Sequence, residues 1–290
     1  MIIIKLWGGL GNQLFQYAYG YQLAKKNNTS IVLDLSWFKN NGSQDPNILK
    51  LNIQYSEKLF LTDKNPQINF WNKKHPNRLL RILPRAIYHI GGYNYLKESR
   101  FRYSSFVDNY SKDNTYVDGY WQVPRYFDSE KDDLKRIFSI NALDEKIVEL
   151  GKQLKNKTAI HVRRGDYPKQ KLFYSRLLTV SDAYYHSAIK YLEEQGKTNF
   201  VIFSNDIEDA KAMLSKTSNS KFDIISFDRK LTDLEEWYLM SSCENIIIGN
   251  STFSWWAAYL NPNQNKIVCA PNKYFGNDDI IPNDWFVFEV

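Results

Sequence analysis

Cysteine is nearly absent from this chain: Cys243 and Cys269 are the only two in 290 residues. Both sit in apolar settings with no CxxC pair or His/Cys spacing nearby, which argues against a disulfide framework and a zinc site. Long apolar runs are missing too. No stretch reaches the roughly 18 apolar residues that mark a membrane-spanning helix. The opening MIIIKLW is shorter than a signal-peptide core, so a cytoplasmic protein is expected. Neither an Asp-x-Asp triplet nor a His/Asp/Glu ligand cluster occurs, so no metal ion is expected to clamp a diphosphate here. No internal repeat or low-complexity tract is visible.

What is present suits a folded chain. Hydrophobic residues make up 43% and charged residues 24%, ordinary for a globular protein, and the length allows one large or two medium domains. Aromatics reach 16%, with 20 Tyr and 8 Trp. They can fill a core, and some can line a sugar site, because ring faces suit the C–H face of a pyranose. The net charge of +6 is uneven. Lys73, Lys74, Arg78, Arg81, Arg85, Lys97, Arg100 and Arg102 face one acid, Glu98, over residues 73–102. This stretch reads as a solvated face or as a surface for anionic lipid headgroups or a lipid-linked acceptor. No nucleic-acid motif accompanies it.

The pattern along the chain alternates strand and helix. IIIKLW predicts a strand, followed by a Gly-rich turn, a helix carrying Leu14, Ala18 and Tyr21 at helical spacing, and a second strand at IVLDLS. From Trp37 to Tyr116 no clean period emerges. Beyond it, TAIHVRR, NFVIFSN, FDIISF, NIIIGN and KIVCAP read as strands. SDAYYHSAIKYLEEQ, IEDAKAMLSK, LTDLEEWYLMSSC and TFSWWAAYL read as the helices between them, with Ser181 as a cap. Such alternation means βαβ units and parallel sheets. Two Rossmann-like domains are expected, 1–145 and 146–290, joined near residues 141–157, with a ligand in the cleft between them.

Three polar clusters fall at predicted strand ends. Gly8, Gly9, Leu10, Gly11, Asn12 and Gln13 lie between strand and helix, where glycines admit a ligand and a helix N-terminus favours an anion. A dinucleotide fingerprint using Asp34 is a rival, but Leu14 stands where its third glycine belongs. The second cluster is His161-Val162-Arg163-Arg164-Gly165-Asp166-Tyr167. Alternation puts His161 and Arg163 on one side and Arg164 on the other. Paired arginines at a buried strand end need anions, and Arg163 is the expected diphosphate ligand. The third is Asn250-Ser251-Thr252-Phe253, an anion cradle or a plain helix cap. Asp206 caps a helix or meets a ligand, and Glu235-Glu236 offers a carboxylate that can accept from a guanine base. Trp255 and Trp256 are expected in the core.

GGLGNQLFQYA, HVRRGDY and IIIGNSTFSWWAAYL, in this order over nearly the whole chain, resemble the bacterial α1,2-fucosyltransferases of glycosyltransferase family 11. VDGYWQVPRYFD is similar to that family's Gly-Tyr-aromatic-Gln segment. The resemblance implies an α/β fold of GT-B type, two Rossmann-like domains facing each other across a cleft. It implies GDP-fucose as donor, a terminal galactose on a glycan as acceptor, inversion at the fucose carbon, and no metal or other cofactor. It maps Gly11, Asn12, His161, Arg163, Asp206, Glu236, Asn250, Ser251, Thr252 and Phe253 onto the donor site, with Glu236 where Asp is the commoner residue. Arg163, Asn12 and Asp166 are the expected catalytic residues. Asp118 is an alternative base, and Gln13, Asp118, Tyr120, Trp121 and Gln122 are the expected acceptor contacts. Rival readings are a fucosyltransferase of other linkage, a nicotinamide oxidoreductase and a non-catalytic glycan-binding module.

Overall fold

The computed structural model describes residues 1–290 except 42–43, 60–91, 99–100, 164–179, 217, 219 and 275–276. Arg164, Asp166, Tyr167 and most of the basic stretch 73–102 therefore lie outside the described residues. The chain divides into two compact units, Met1–Ser139 and Ile140–Val290. Among the described residues no helix is long and apolar enough to cross a membrane.

The first unit is built on a five-stranded sheet in the order β3-β2-β1-β5-β4. Its strands are β1 (Ile2–Lys5), β2 (Ile31–Asp34), β3 (Glu57–Leu59), β4 (Asn94–Lys97) and β5 (Thr115–Asp118). All pairs are parallel; Ile4 lies opposite Leu33 on one side and Val117 on the other. Helix α1 (Leu10–Lys26) packs on β1. It buries Leu14, Phe15, Tyr17, Ala18 and Tyr19, and carries Lys25 and Lys26 in its last turn, where cations oppose the helix dipole. Among the described residues this unit also has the short helices α2 (Ser36–Asn41), α3 (Ser105–Asp108) and α4 (Lys131–Ile137).

The second unit has a six-stranded sheet in the order β11-β10-β9-β6-β7-β8, again all parallel. Its strands are β6 (Thr158–Val162), β7 (Asn199–Ser204), β8 (Lys221–Ile224), β9 (Asn245–Ile247), β10 (Val268–Pro271) and β11 (Phe286–Phe288). Among the described residues its helices are α5 (Glu145–Gln153), α6 (Asp182–Glu194), α7 (Ile207–Leu214), α8 (Asp233–Ser241) and α9 (Thr252–Tyr259). Every β6 residue is buried, as expected of a central parallel strand covered on both faces. Ser181 caps α6, accepting from the Tyr184 N–H, as its position predicts.

Most of the aromatic surplus goes into the cores. Tyr17, Tyr19, Trp121, Tyr184, Trp255, Trp256, Tyr259 and Tyr274 are all under 2% exposed. Several carry their polar tips inward to partners: Tyr17 Oη donates to Gln54 O at 2.6 Å, and Trp255 Nε1 to Ile280 O at 2.8 Å.

Candidate active site

Strand order locates the crevices. In the second unit the chain starts at β6, runs outward through β7 and β8, then returns to lay β9 on the opposite flank of β6. Loops leaving β6 and β9 therefore diverge in opposite directions, which opens a gap at their carboxyl ends. Ile160 lies opposite Ile247, so the segments that follow, His161–Arg163 and Ile248–Phe253, flank this gap. The sequence clusters around His161 and Ser251 are thus brought together although they lie far apart in the chain.

The gap is closely built. Tyr185 Oη donates to His161 O at 3.1 Å. Gly249 fits against the same carbonyl, and a Cβ there would stand 2.9 Å from His161 O and 3.1 Å from Tyr185 Oη. The Ser251 N–H donates to Tyr274 Oη at 3.0 Å, and that hydroxyl lies 2.8 Å from Gly249 O. The Ser251 side chain caps α9, accepting from the Phe253 N–H at 3.3 Å. The cap is therefore present, and a cap of this kind is compatible with an anion at the same helix start. Phe253 meets the His161 ring with centroids 6.1 Å apart. Asn250 is buried beside Ser251, and Thr252 opens the helix.

His161 is held neutral. Burial, reinforced by the Arg163 charge, pushes its pKa down to about 3. Its Nδ1 is buried with no hydrogen-bond partner among the described residues. A neutral ring nitrogen left in this state is suited to one hydrogen bond with a ligand. Arg163 follows the strand and is half-buried, and its charge reaches His161. Asp206 is exposed at the end of β7 and caps α7, accepting from the Asp209 N–H at 3.1 Å.

The two neighbouring glutamates on α8 separate sharply. Glu235 is engaged by both nitrogens of Arg229, at 2.7 and 2.9 Å, and closes a capping box with Thr232. Glu236 is half-buried, and burial raises its pKa, with Asp233 adding repulsion and Lys230 offsetting it. Its carboxylate makes no hydrogen bond among the described residues. Since α8 packs against α9, Glu236 is the acid of this pair with capacity for a ligand.

The first unit has its own switch point, between β1 and β5. Gly8 turns the chain at φ +74°, and a Cβ on it would stand 2.9 Å from Asn12 Nδ2. Gly11 is buried inside the first turn of α1. Asn12 faces outward, half-buried, and its Oδ1 accepts from Gln122 Nε2 at 3.0 Å. Lys5 pairs with Asp118 at 3.2 Å, and Tyr95 Oη donates to Asp118 at 2.5 Å. Trp7 and Tyr120 stack with centroids 4.9 Å apart.

Three expectations are corrected here. Gln13 is not an exposed acceptor contact. Helical rotation turns it inward to 0% exposure, and its amide bonds Gly8 O, Asp45 O and the Ile48 N–H at 2.8, 2.9 and 3.1 Å. Trp121 is a core residue, 1% exposed and stacked on Tyr19 at 4.4 Å. Asp118, buried and tied to Lys5 and Tyr95, is poorly placed to serve as a free base. The dinucleotide rival also loses its acid: Asp34 is fully buried, accepting from the Ser36 N–H at 2.9 Å and from Tyr116 Oη at 2.5 Å.

Sequence reasoning assigned no role to Tyr185 and Tyr274, which lie outside its motifs, nor to Gly249, which lies inside IIIGNSTFSWWAAYL but was not singled out. It also passed over Glu98. This half-buried carboxylate accepts from the Tyr120 and Trp121 N–H groups at 2.7 and 3.1 Å. Desolvation raises its pKa to about 7 despite those two bonds, with Asp118 adding repulsion. The available signal was its being the lone acid in the basic stretch. Among the described residues no group of three or more His, Cys, Asp or Glu side chains has metal-site geometry. A separate cavity of about 170 Å³, lined by Leu150, Leu154, Val201 and Ile224 among others, shares no residue with either crevice.

The model described as glycosyl transferase family 11 matches residues 1–287. An O-antigen biosynthesis glycosyltransferase of Escherichia coli, WbnK, is 32% identical over 94% of this chain and 95% of its own length. An alpha-1,2-colitosyltransferase of Escherichia coli is 31% identical over 100% of this chain and 99% of its own. Among solved structures, Arabidopsis thaliana FUT1 in complex with GDP aligns with TM-score 0.51 and 15% identity, covering 93% of this chain and 70% of that one. That likeness bears on fold alone, the GT-B type with its two Rossmann-like halves.

Proposed function

The chain belongs to glycosyl transferase family 11, and we propose that it moves L-fucose from GDP-β-L-fucose to the 2-hydroxyl of a terminal galactose. The product is an α1,2 linkage on an oligosaccharide such as an O-antigen repeat, the class of glycan named for its WbnK relative. The observation that carries the donor side is the β6–β9 cradle: a neutral buried His161 with an unused nitrogen, Arg163 beside it, and the Ser251-capped start of α9. The second unit thus takes the nucleotide. Glu236 accepts from the guanine edge, Arg163 and the α9 amides meet the diphosphate, and His161 makes a base or ribose contact. The first unit takes the acceptor, near Asn12, Tyr120 and Gln122.

In this reaction the bond between fucose C1 and the β-phosphate oxygen breaks, and its electron pair leaves on GDP. Arg163 balances that charge, with a guanidinium geometry suited to two phosphate oxygens. The acceptor 2-oxygen bonds to C1 from the opposite face, inverting it, and its proton passes to a base. Asp166 is our candidate for that base. No metal is required in this scheme, because the arginine and the helix start supply the positive potential. Two buried free thiols, Cys243 and Cys269, fit a reducing cytoplasmic setting.

A second reading concerns the donor sugar. Colitose is L-fucose without its 3-hydroxyl, and a relative of full length is named for colitosyl transfer. A site that hydrogen-bonds the 3-hydroxyl would reject the deoxy sugar strongly, whereas an apolar wall would not. The test is transfer from GDP-fucose and from GDP-colitose, each with excess EDTA, to a panel of galactose-terminated glycans. We expect fucose transfer with most activity retained in EDTA. Preference for colitose would replace the donor, and activity restored only by Mg²⁺ or Mn²⁺ would overturn the metal-free scheme.

A further inference from the structure

We propose that Glu98 is a positioning residue for sugar transfer, whose carboxylate clamps the Tyr120–Trp121 backbone so that Gln122 delivers its amide to Asn12. This inference rests on the functional reading above, which places Asn12 at the acceptor side.

The geometry has three links. Glu98 follows the carboxyl end of β4, and one oxygen accepts from the Tyr120 N–H at 2.7 Å while the other accepts from the Trp121 N–H at 3.1 Å. Two successive backbone donors on one carboxylate require an unusual turn. Trp121 provides it at φ +58°, in the left-handed region that a bulky side chain rarely occupies. Such a conformation persists only where the surroundings over-determine it. They do so here: Trp121 is locked by its stack on Tyr19, and a Cβ on Gly119 would stand 2.4 Å from Glu98 Cβ. Beyond the turn, Gln122 Nε2 donates to Asn12 Oδ1 at 3.0 Å, which fixes the orientation of the Asn12 amide. Glu98 is thus coupled to Asn12 through the chain it holds, not by contact.

The clamp depends on charge. The charged group acting on Glu98 is Asp118, itself paired with Lys5, while the Tyr19, Tyr120 and Tyr126 hydroxyls lie near enough for the Glu98 charge to raise them. Burial dominates and places its titration at about 7. Protonation removes the charge and leaves one oxygen a hydroxyl, a much poorer acceptor, so one of the two bonds is weakened. The clamp is intact above that pH and weakened below it.

The experiment uses the full-length protein and compares wild type with Glu98→Gln, Glu98→Asp and Gln122→Met. Amide hydrogen exchange over residues 119–122 reads the clamp. Steady-state transfer from GDP-fucose between pH 5.5 and 8.5 reads the positioning. We expect about tenfold faster exchange at the Tyr120 and Trp121 amides in Glu98→Gln, the scale of one lost charge-assisted bond. Turnover should fall tenfold or more while the KM for donor stays within about threefold, since the nucleotide cradle lies in the other unit. Wild-type kcat should rise through pH of about 7, that limb should vanish in Glu98→Gln, and Glu98→Asp should recover part of the turnover. Gln122→Met should lower turnover without loosening the Tyr120 and Trp121 amides, which keeps the idea testable if Glu98→Gln does not fold. Unchanged exchange, or faster exchange with unchanged kcat, overturns the proposal. A wild-type protein that transfers neither fucose nor colitose sinks the functional reading and the positioning role with it, while exchange still reports whether the clamp exists.

Discussion

Replacing Gly249 by alanine is the sharpest test of the proposed nucleotide cradle. The added methyl would lie 2.9 Å from His161 O and 3.1 Å from Tyr185 Oη, both well inside ordinary contact. The closer atom is backbone in a central, fully buried strand, so it has little freedom to withdraw. The displacement must instead be taken by the β9–α9 turn, which carries Ser251 and the Tyr274 bonds. Overpacking of this kind costs about 1–3 kcal/mol. That corresponds to a Tm lower by roughly 2–12 °C, at about 2–4 °C per kcal/mol for domains of this size. The Tyr185 bond to His161 O is wedged at the same time, so GDP affinity should fall together with stability. The assay is thermal unfolding with and without GDP. Wild type should be stabilised by GDP through ligand linkage, and by UDP or ADP far less. Gly249→Ala should lose both intrinsic stability and most of the GDP-dependent shift. A variant with wild-type Tm and a wild-type GDP shift would show that the gap between β6 and β9 is looser than described and that this turn does not hold the nucleotide.

Arg163→Ala should stay folded and lose about a hundredfold in kcat, the scale of removing one preorganised charge-stabilising group, with Arg163→Lys in between; single-turnover transfer at saturating GDP-fucose decides it, and near-wild-type turnover in the alanine variant rejects the role. Glu235 is held down to about 2, first by Arg229 and then by Thr232. Its folded pKa lies below the unfolded value, so its contribution is present at neutral pH and fades as pH falls from about 4.5 toward 2. Glu235→Gln should therefore be less stable than wild type at pH 7, with the gap closing over that acid range in urea titrations; a pH-independent gap would show that shape, not charge, matters there.

Much of the second unit was legible because its signals are local. NFVIFSN, NIIIGN and KIVCAP are compact apolar runs between helices whose caps lie in the sequence, Ser181 and Ser251 among them. The stretch from Trp37 to Tyr116 was not legible. Strands Glu57–Leu59 and Asn94–Lys97 have three and four residues, too few to show a period against noise. Asn12 and Gln13 look alike as neighbouring amides. A helix turns about 100° per residue, so one faces outward while the other is sealed inside, and which is which depends on how α1 sits on β1.

The sequence by itself determined the alternation of strand and helix, the placing of His161, Arg163 and Ser251 at strand ends, and the family. These follow from side-chain periodicity and short motifs, which are properties of neighbouring residues. Only the tertiary structure decided the rest. It laid β9 beside β6, so that two distant motifs share one gap. It spent Glu235 on Arg229 and left Glu236 without a hydrogen bond among the described residues. It neutralised His161, and it brought Glu98 onto backbone donors 22 and 23 residues away. The physical reason is common to all four. Desolvation and hydrogen-bond satisfaction depend on which groups surround a side chain once water has been excluded, and that neighbourhood exists only after packing.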